Sequence, residues 1–259
     1  MNVYLQSSFG IALPFLGTSV GAAAVFFRKK ECRQAANELL LGFASGVMIA
    51  ASVWSLLLPA LETSQGLGHL AFLPATVGFF VGGLLPLLLE KLIGRFAAKR
   101  ENLRPGGRRI LLLILTVTLH NLPEGMAVGV VYAGLLSGSA GIGFSGALAL
   151  SLGIALQNLP EGAIVSLPAH AAGASKGRAF VWGVLSGAVE PIGALFTLLL
   201  TSFAAKALPF TLAFAAGAMI CVSAKELIPQ AQEKTDGRRA TVSLLVGFAL
   251  MMALDTAMG

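Results

Sequence analysis

His120, Asn121 and Glu124 lie within about one helical turn of each other in the apolar run LTVTLHNLPEGMAVGV (115–130), and Gln157, Asn158 and Glu161 repeat the arrangement in GIALQNLPEGAIVSLP (153–168). If both runs are helical, His120 and Glu124 share one face, and Asn121 and Glu124 share a neighbouring strip. Pro123 and Pro160 each lack an amide hydrogen, so the bond to the carbonyl four residues back, at Leu119 or Leu156, is lost. Each proline is expected to kink its helix and free an acceptor oxygen beside the carboxylate. Gly125 and Gly162 follow, small enough for another helix to approach closely. Two such antiparallel helices packed face to face would gather two carboxylates, an imidazole, three amides and loosened carbonyls.

Two glutamates side by side in a low dielectric repel, and a divalent cation between them removes the repulsion. One imidazole with carboxylate and amide oxygens suits a borderline ion, Zn²⁺ first, with Fe²⁺, Mn²⁺ and Cd²⁺ as alternatives. Glu190 in GAVEPIGALF again precedes a proline and can supply a third carboxylate. The plainer reading is that kinked packing helices satisfy their own polar groups. It accounts for one NLPEG better than for two together with Glu190.

These residues need a frame that holds them away from water. The 259 residues are 56% hydrophobic and 12% charged, with a mean hydropathy of +0.83; a soluble domain is about one quarter charged. The apolar residues come in blocks of roughly 20, the length of one bilayer crossing. The pattern predicts an all-α integral membrane protein, one polytopic domain over 1–259 with spans near 9–27, 37–58, 71–93, 110–134, 141–168, 179–203, 207–229 and 238–258. The first block has no basic region before it and ends in RKK, so it reads as a retained span rather than a cleaved leader. Of 18 Lys and Arg, 16 fall in or beside the loops after odd-numbered spans. The positive-inside rule then puts those loops in the cytoplasm and both termini outside. The basic residues read as topology anchors and not as a nucleic-acid surface. Residues 94–109, rich in Gly, Pro and Arg, read as a flexible connection, and Cys32 and Cys221 imply no disulfide framework.

HNLPEG, QNLPEG and EPIGA on successive spans resemble the signature of the ZIP metal-ion transporters, closest to their bacterial GufA-like branch, and the eight-span layout is similar too. The resemblance covers essentially the whole chain. It implies a homodimer in the bacterial inner membrane and a binuclear site at mid-membrane. One ion would be held by His120, Glu124, Gln157 and Glu161, and the second by Asn121, Glu124, Asn158, Glu161 and Glu190, with Glu124 and Glu161 bridging. It also implies that spans 1, 4, 5 and 6 move against the others.

The chain departs from the pattern at three points. Gln157 stands where many relatives have histidine, which lowers zinc selectivity at the first position. Asn158 stands where some have an acid. Lys225 precedes Glu226 where many have His-Glu, which weakens a third metal position on the cytoplasmic side. Further path candidates are Glu226, His170 near the cytoplasmic end of span 5, and Met48, whose thioether serves either the path or, more simply, core packing. SLLLPALE (55–62) and KELIPQAQ (225–232) align on their prolines, the trace an inverted repeat leaves.

The expected activity is transport of divalent metal into the cytoplasm by alternating access, driven by gradients because no GxxxxGK[ST] run is present, and without an organic cofactor. A metal-binding receptor or sensor without flux, and an exporter of the same fold, are the rivals. An intramembrane metalloenzyme fits less well, because neither HExxH nor a nucleophile with its base is present.

Overall fold

The computed structural model describes residues 3–27, 34–98, 105–138, 142–203, 207–232 and 237–258. Among them the regular elements are all helical: α1 (Val3–Ala22), α2 (Ala24–Phe27), α3 (Gln34–Ala51), α4 (Leu58–Thr63), α5 (Phe72–Ala98), α6 (Pro105–Leu136), α7 (Phe144–Ala171), α8 (Lys176–Gly187), α9 (Val189–Phe203), α10 (Leu208–Val222), α11 (Ile228–Gln232) and α12 (Arg238–Met258). A π-helical turn at Ser52–Leu57 joins α3 to α4, and another at Ser223–Leu227 joins α10 to α11. Seven helical stretches among the described residues are long and apolar enough to cross a bilayer. The 32-residue α6, which carries the first NLPEG, stands between the third and fourth of these.

Polarity runs inside out relative to a soluble protein. Phe80, Leu88, Phe196, Leu199 and Leu245 face outward, while Asn121, Glu124, Gln157, Asn158, Glu161 and Glu190 are buried. This is the distribution a lipid surround favours, since polar side chains there must find partners inside the bundle.

The helices associate as four tight pairs: α1 with α7, α6 with α9, α3 with α12 and α5 with α10. Glycines make each contact possible. A Cβ on Gly21 would lie 2.0 Å from the Leu159 carbonyl oxygen, on Gly125 2.2 Å from that of Glu190, on Gly46 2.0 Å from that of Leu244 and on Gly82 1.9 Å from that of Phe214. Backbones this close gain dispersion energy that bulkier residues would forbid, which drives association where water is absent.

The pairing also repeats. Exchanging α1 with α9, α3 with α10, α5 with α12 and α6 with α7 maps the four pairs onto one another. Gly162 against the Thr18 carbonyl then corresponds to Gly125 against that of Glu190, and Gly46 against Leu244 to Gly217 against Phe79. Each π-helical turn is followed by a proline, Pro59 or Pro229, one residue into the next helix. The SLLLPALE and KELIPQAQ match is therefore one local sign of a duplication that runs through the bundle.

One expectation changes. Of the supposed flexible connection at 94–109, the described residues 94–98 and 105–109 are helical, because α5 continues to Ala98 and α6 begins at Pro105. Proline suits a first helical position, where its missing N–H has no intrahelical partner to lose. Pro123 and Pro160 lie within continuous α6 and α7. The basic residues at 28–30, 33, 99, 100, 104 and 234, and Lys206, lie outside the described residues.

Candidate metal centre

Four helices converge on the two NLPEG motifs: α6, α7, α9 and the proline-containing α1. Glu190 sits in the first turn of α9. The helix is interrupted for one residue, Ala188, between α8 and α9, where Pro191 cannot donate to the Gly187 carbonyl, and Glu190 just beyond it is buried. Six of the seven expected ligands come together here: Asn121, Glu124, Gln157 and Asn158 are fully buried, Glu190 is 1% exposed and Glu161 3%. The seventh, His120, lies on α6 next to Asn121, and its side chain lies outside the described residues.

The hydrogen bonds account for only part of this polarity. Gln157 Nε2 donates to Glu124 Oε1 at 2.5 Å, tying the two motifs together. Asn121 Nδ2 donates to Glu190 Oε1 and to the Ser186 carbonyl, both at 3.1 Å. Asn158 Nδ2 donates to the Pro14 carbonyl at 3.4 Å, and Thr18 Oγ1 donates to Glu190 Oε1 at 2.6 Å. The Glu124 carboxylate is in electrostatic contact with both Glu161 and Glu190.

What remains is a set of acceptors without donors. Asn121 Oδ1, Glu124 Oε2, Gln157 Oε1, Asn158 Oδ1, both Glu161 oxygens and Glu190 Oε2 are buried and have no hydrogen-bond partner. One such atom costs about 1–3 kcal/mol, so seven of one polarity at one locus need a positive charge among them. Among the described residues, no three His, Cys, Asp or Glu side chains stand as a group that could hold a metal ion. Glu124 and Glu190 are instead drawn to the amide and hydroxyl donors beside them. Any ion here would be met by amide oxygens as well as by carboxylates.

The other path candidates stand apart. Met48 is buried in the apolar core with Val128, Ile154 and Met219, and its Sδ accepts from Ser223 Oγ at 3.0 Å. His170 is exposed nine residues beyond Glu161 and bonds the Ala174 carbonyl through Nδ1 at 2.8 Å, closing the end of α7. Glu226 lines a cleft with Glu90, Leu119, Cys221 and Lys225, where Lys225 and Glu90 form an ion pair. Leu119 is the residue whose carbonyl Pro123 leaves without its usual donor, so the cleft reaches α6 one residue from His120.

Sequence reasoning missed Thr18 and Ser166. Ser166 Oγ, on α7 beyond Glu161, is buried without a partner. Thr18 had one available signal: TSVGA at 18–22 aligns with EPIGA at 190–194, which makes Thr18 the repeat counterpart of Glu190.

The sequence pattern of the ZIP zinc transporter family matches residues 98–255. Zinc transporter ZIP11 of Xenopus tropicalis is 38% identical over 330 aligned positions, covering 98% of each chain. Zinc transporter GufA of Myxococcus xanthus is 38% identical over 93% of this chain and 94% of its own. Zinc transporter ZIPB of Bordetella bronchiseptica is 41% identical over 96% of this chain and 80% of its own. These relatives are named as transporters, not enzymes. With the matched pattern spanning both NLPEG motifs and Glu190, and relatives aligned nearly end to end, this multi-pass membrane protein belongs to the ZIP zinc transporter family.

Proposed function

We propose that the chain carries divalent metal ions, zinc foremost and Fe²⁺, Mn²⁺ or Cd²⁺ as alternatives, across the membrane into the cytoplasm. The observation that carries this reading is the group of seven buried acceptor oxygens without donors, all from residues chosen as ligands. Protons at the carboxylates, or a divalent ion between them, supply the missing positive charge, so metal and protons compete for one locus. The two-position arrangement assigned to these residues, with Glu124 and Glu161 bridging, fits the near-symmetric placement of the NLPEG motifs.

Eight spans with both termini outside, in a homodimer at the inner membrane, complete the reading. The seven apolar stretches together with α6 support the count. The repeat supports alternating access, because two similarly packed halves around one site can exchange which side is open. The test is uptake of Zn²⁺ and Cd²⁺ into proteoliposomes by the intact protein and by Glu161→Ala. Flux that disappears with the carboxylate sustains transport through this site. Tight binding without flux makes the protein a sensor, and equal flux in the variant removes Glu161 from the path.

A further inference from the structure

We propose that Thr18, on α1, is a positioning residue of the cation site: its hydroxyl holds the Glu190 carboxylate by one oxygen and leaves the other for the ion. The inference rests on the transport reading above and adds a residue that neither NLPEG motif contains.

Thr18 is fully buried, and its Oγ1 lies 2.6 Å from Glu190 Oε1 and 3.4 Å from the Pro14 carbonyl. A hydroxyl has one proton to give, and the shorter, charge-assisted bond to the carboxylate takes it. Asn121 Nδ2 donates to the same Oε1 at 3.1 Å. Two donors from two helices thus fix one oxygen of Glu190, while Oε2 has no partner at all. Gly187 provides the room, since a Cβ there would meet Thr18 Cγ2 at 2.7 Å and Glu190 Oε1 at 3.0 Å.

The repeat explains why a hydroxyl stands here. Thr18 and Glu190 are counterparts: the Thr18 carbonyl packs on Gly162 as the Glu190 carbonyl packs on Gly125. A carboxylate at both positions would set two like charges in contact in a buried site. With threonine at one of them, the site keeps a single carboxylate on this axis and gains a donor that orients it. Partners that orient a ligand are typically worth 10–100-fold in metal affinity.

The experiment compares the intact protein with Thr18→Val, which keeps the shape but not the hydroxyl, and Thr18→Ser, which keeps the hydroxyl but not the methyl. Cd²⁺ affinity of the purified protein is measured by titration calorimetry, and KM and kcat for Cd²⁺ by proteoliposome uptake. The expected result is an affinity loss and a KM rise of about tenfold in Thr18→Val, with Thr18→Ser within about twofold of the parent. Parental values in Thr18→Val or a Ser variant as weak as the Val variant would overturn the assignment in favour of packing, and a Val variant that cannot be purified folded while Ser is normal would overturn it by making the hydroxyl a requirement of folding rather than of ion binding. If the intact protein itself binds no Cd²⁺, the transport reading falls, and the role assigned to Thr18 falls with it; parental binding indifferent to the hydroxyl removes only Thr18.

Discussion

Asn121 and Asn158 make matching bonds on opposite sides of the site. Asn121 Nδ2 donates to the Ser186 carbonyl at 3.1 Å, four residues before Glu190, and Asn158 Nδ2 donates to the Pro14 carbonyl at 3.4 Å, four residues before Thr18. Asn121 therefore ties α6 to the end of α8, just before the helix that carries Glu190, and Asn158 ties α7 to α1, the helix that carries Thr18. The symmetry ends at the next contact. Asn121 also reaches Glu190 Oε1, whereas the residue on α1 equivalent to Glu190 is a threonine.

That asymmetry sets an order for two otherwise equivalent substitutions. Asn121→Ala removes a proposed oxygen ligand and a 3.1 Å donor to Glu190 Oε1, while Asn158→Ala removes a proposed oxygen ligand and only weaker interactions with Glu124 and Glu190. Cd²⁺ affinity is expected to fall further in Asn121→Ala, by about tenfold relative to Asn158→Ala, the lower end of what orienting partners are worth. Titration of both purified variants checks it, and equal losses would separate Asn121 from the placing of Glu190.

The glycines that let the backbones touch should be intolerant in a graded way. A Cβ at Gly162 would lie 2.0 Å from the Thr18 carbonyl oxygen, and α1 would have to move as a body to relieve it. Gly162→Ala is expected to lower stability by at least the roughly 1–3 kcal/mol typical of overpacking. Gly177, also helical, has nothing within 4 Å of its Cβ position. Gly177→Ala should instead stabilise by up to about 1 kcal/mol, the helix-propensity difference. Thermal unfolding in detergent reads both signs.

Why the motif residues were legible and Thr18 was not has a physical basis. Glutamate, glutamine and asparagine inside an apolar run are costly enough to stand out singly, and six of them meet in one place. Threonine in the same setting is cheap, because its hydroxyl can bond the carbonyl four residues back, as Thr118 does to Ile114. Nothing local marks Thr18 as different, and its partner lies 172 positions away in the sequence. Met48 was ambiguous for a related reason, since a thioether serves a core as readily as a path. The duplication is faint in the sequence because the glycine contacts that display it match spacing between helices, which only the packed structure reveals.

Gln157 occupies in the second motif the place His120 holds in the first, and its Nε2 is committed to Glu124. Gln157→His would replace an amide oxygen with an imidazole nitrogen, which favours Zn²⁺ over the harder Mn²⁺. The preference for Zn²⁺ over Mn²⁺ in competition uptake should rise by about tenfold, or about 1.4 kcal/mol. An unchanged ratio would mean that this side chain does not face the ion.

The last prediction concerns the cleft beneath Leu119. Glu90, Glu226 and the Cys221 thiol line it together with Lys225, a donor set that would suit a borderline divalent ion if the lysine were absent. The lysine ammonium pairs with Glu90. At roughly half exposure such a pair contributes little to stability, yet its fixed positive charge opposes a second cation in the same cleft. Lys225→His should therefore let the protein bind one more Cd²⁺ per chain than the parent, while Lys225→Arg, which keeps the charge, should not. The comparison is made by equilibrium dialysis with Glu90→Gln added to the histidine variant. The extra equivalent should disappear when that carboxylate does, and an unchanged count in Lys225→His would mean that the lysine holds no metal position closed.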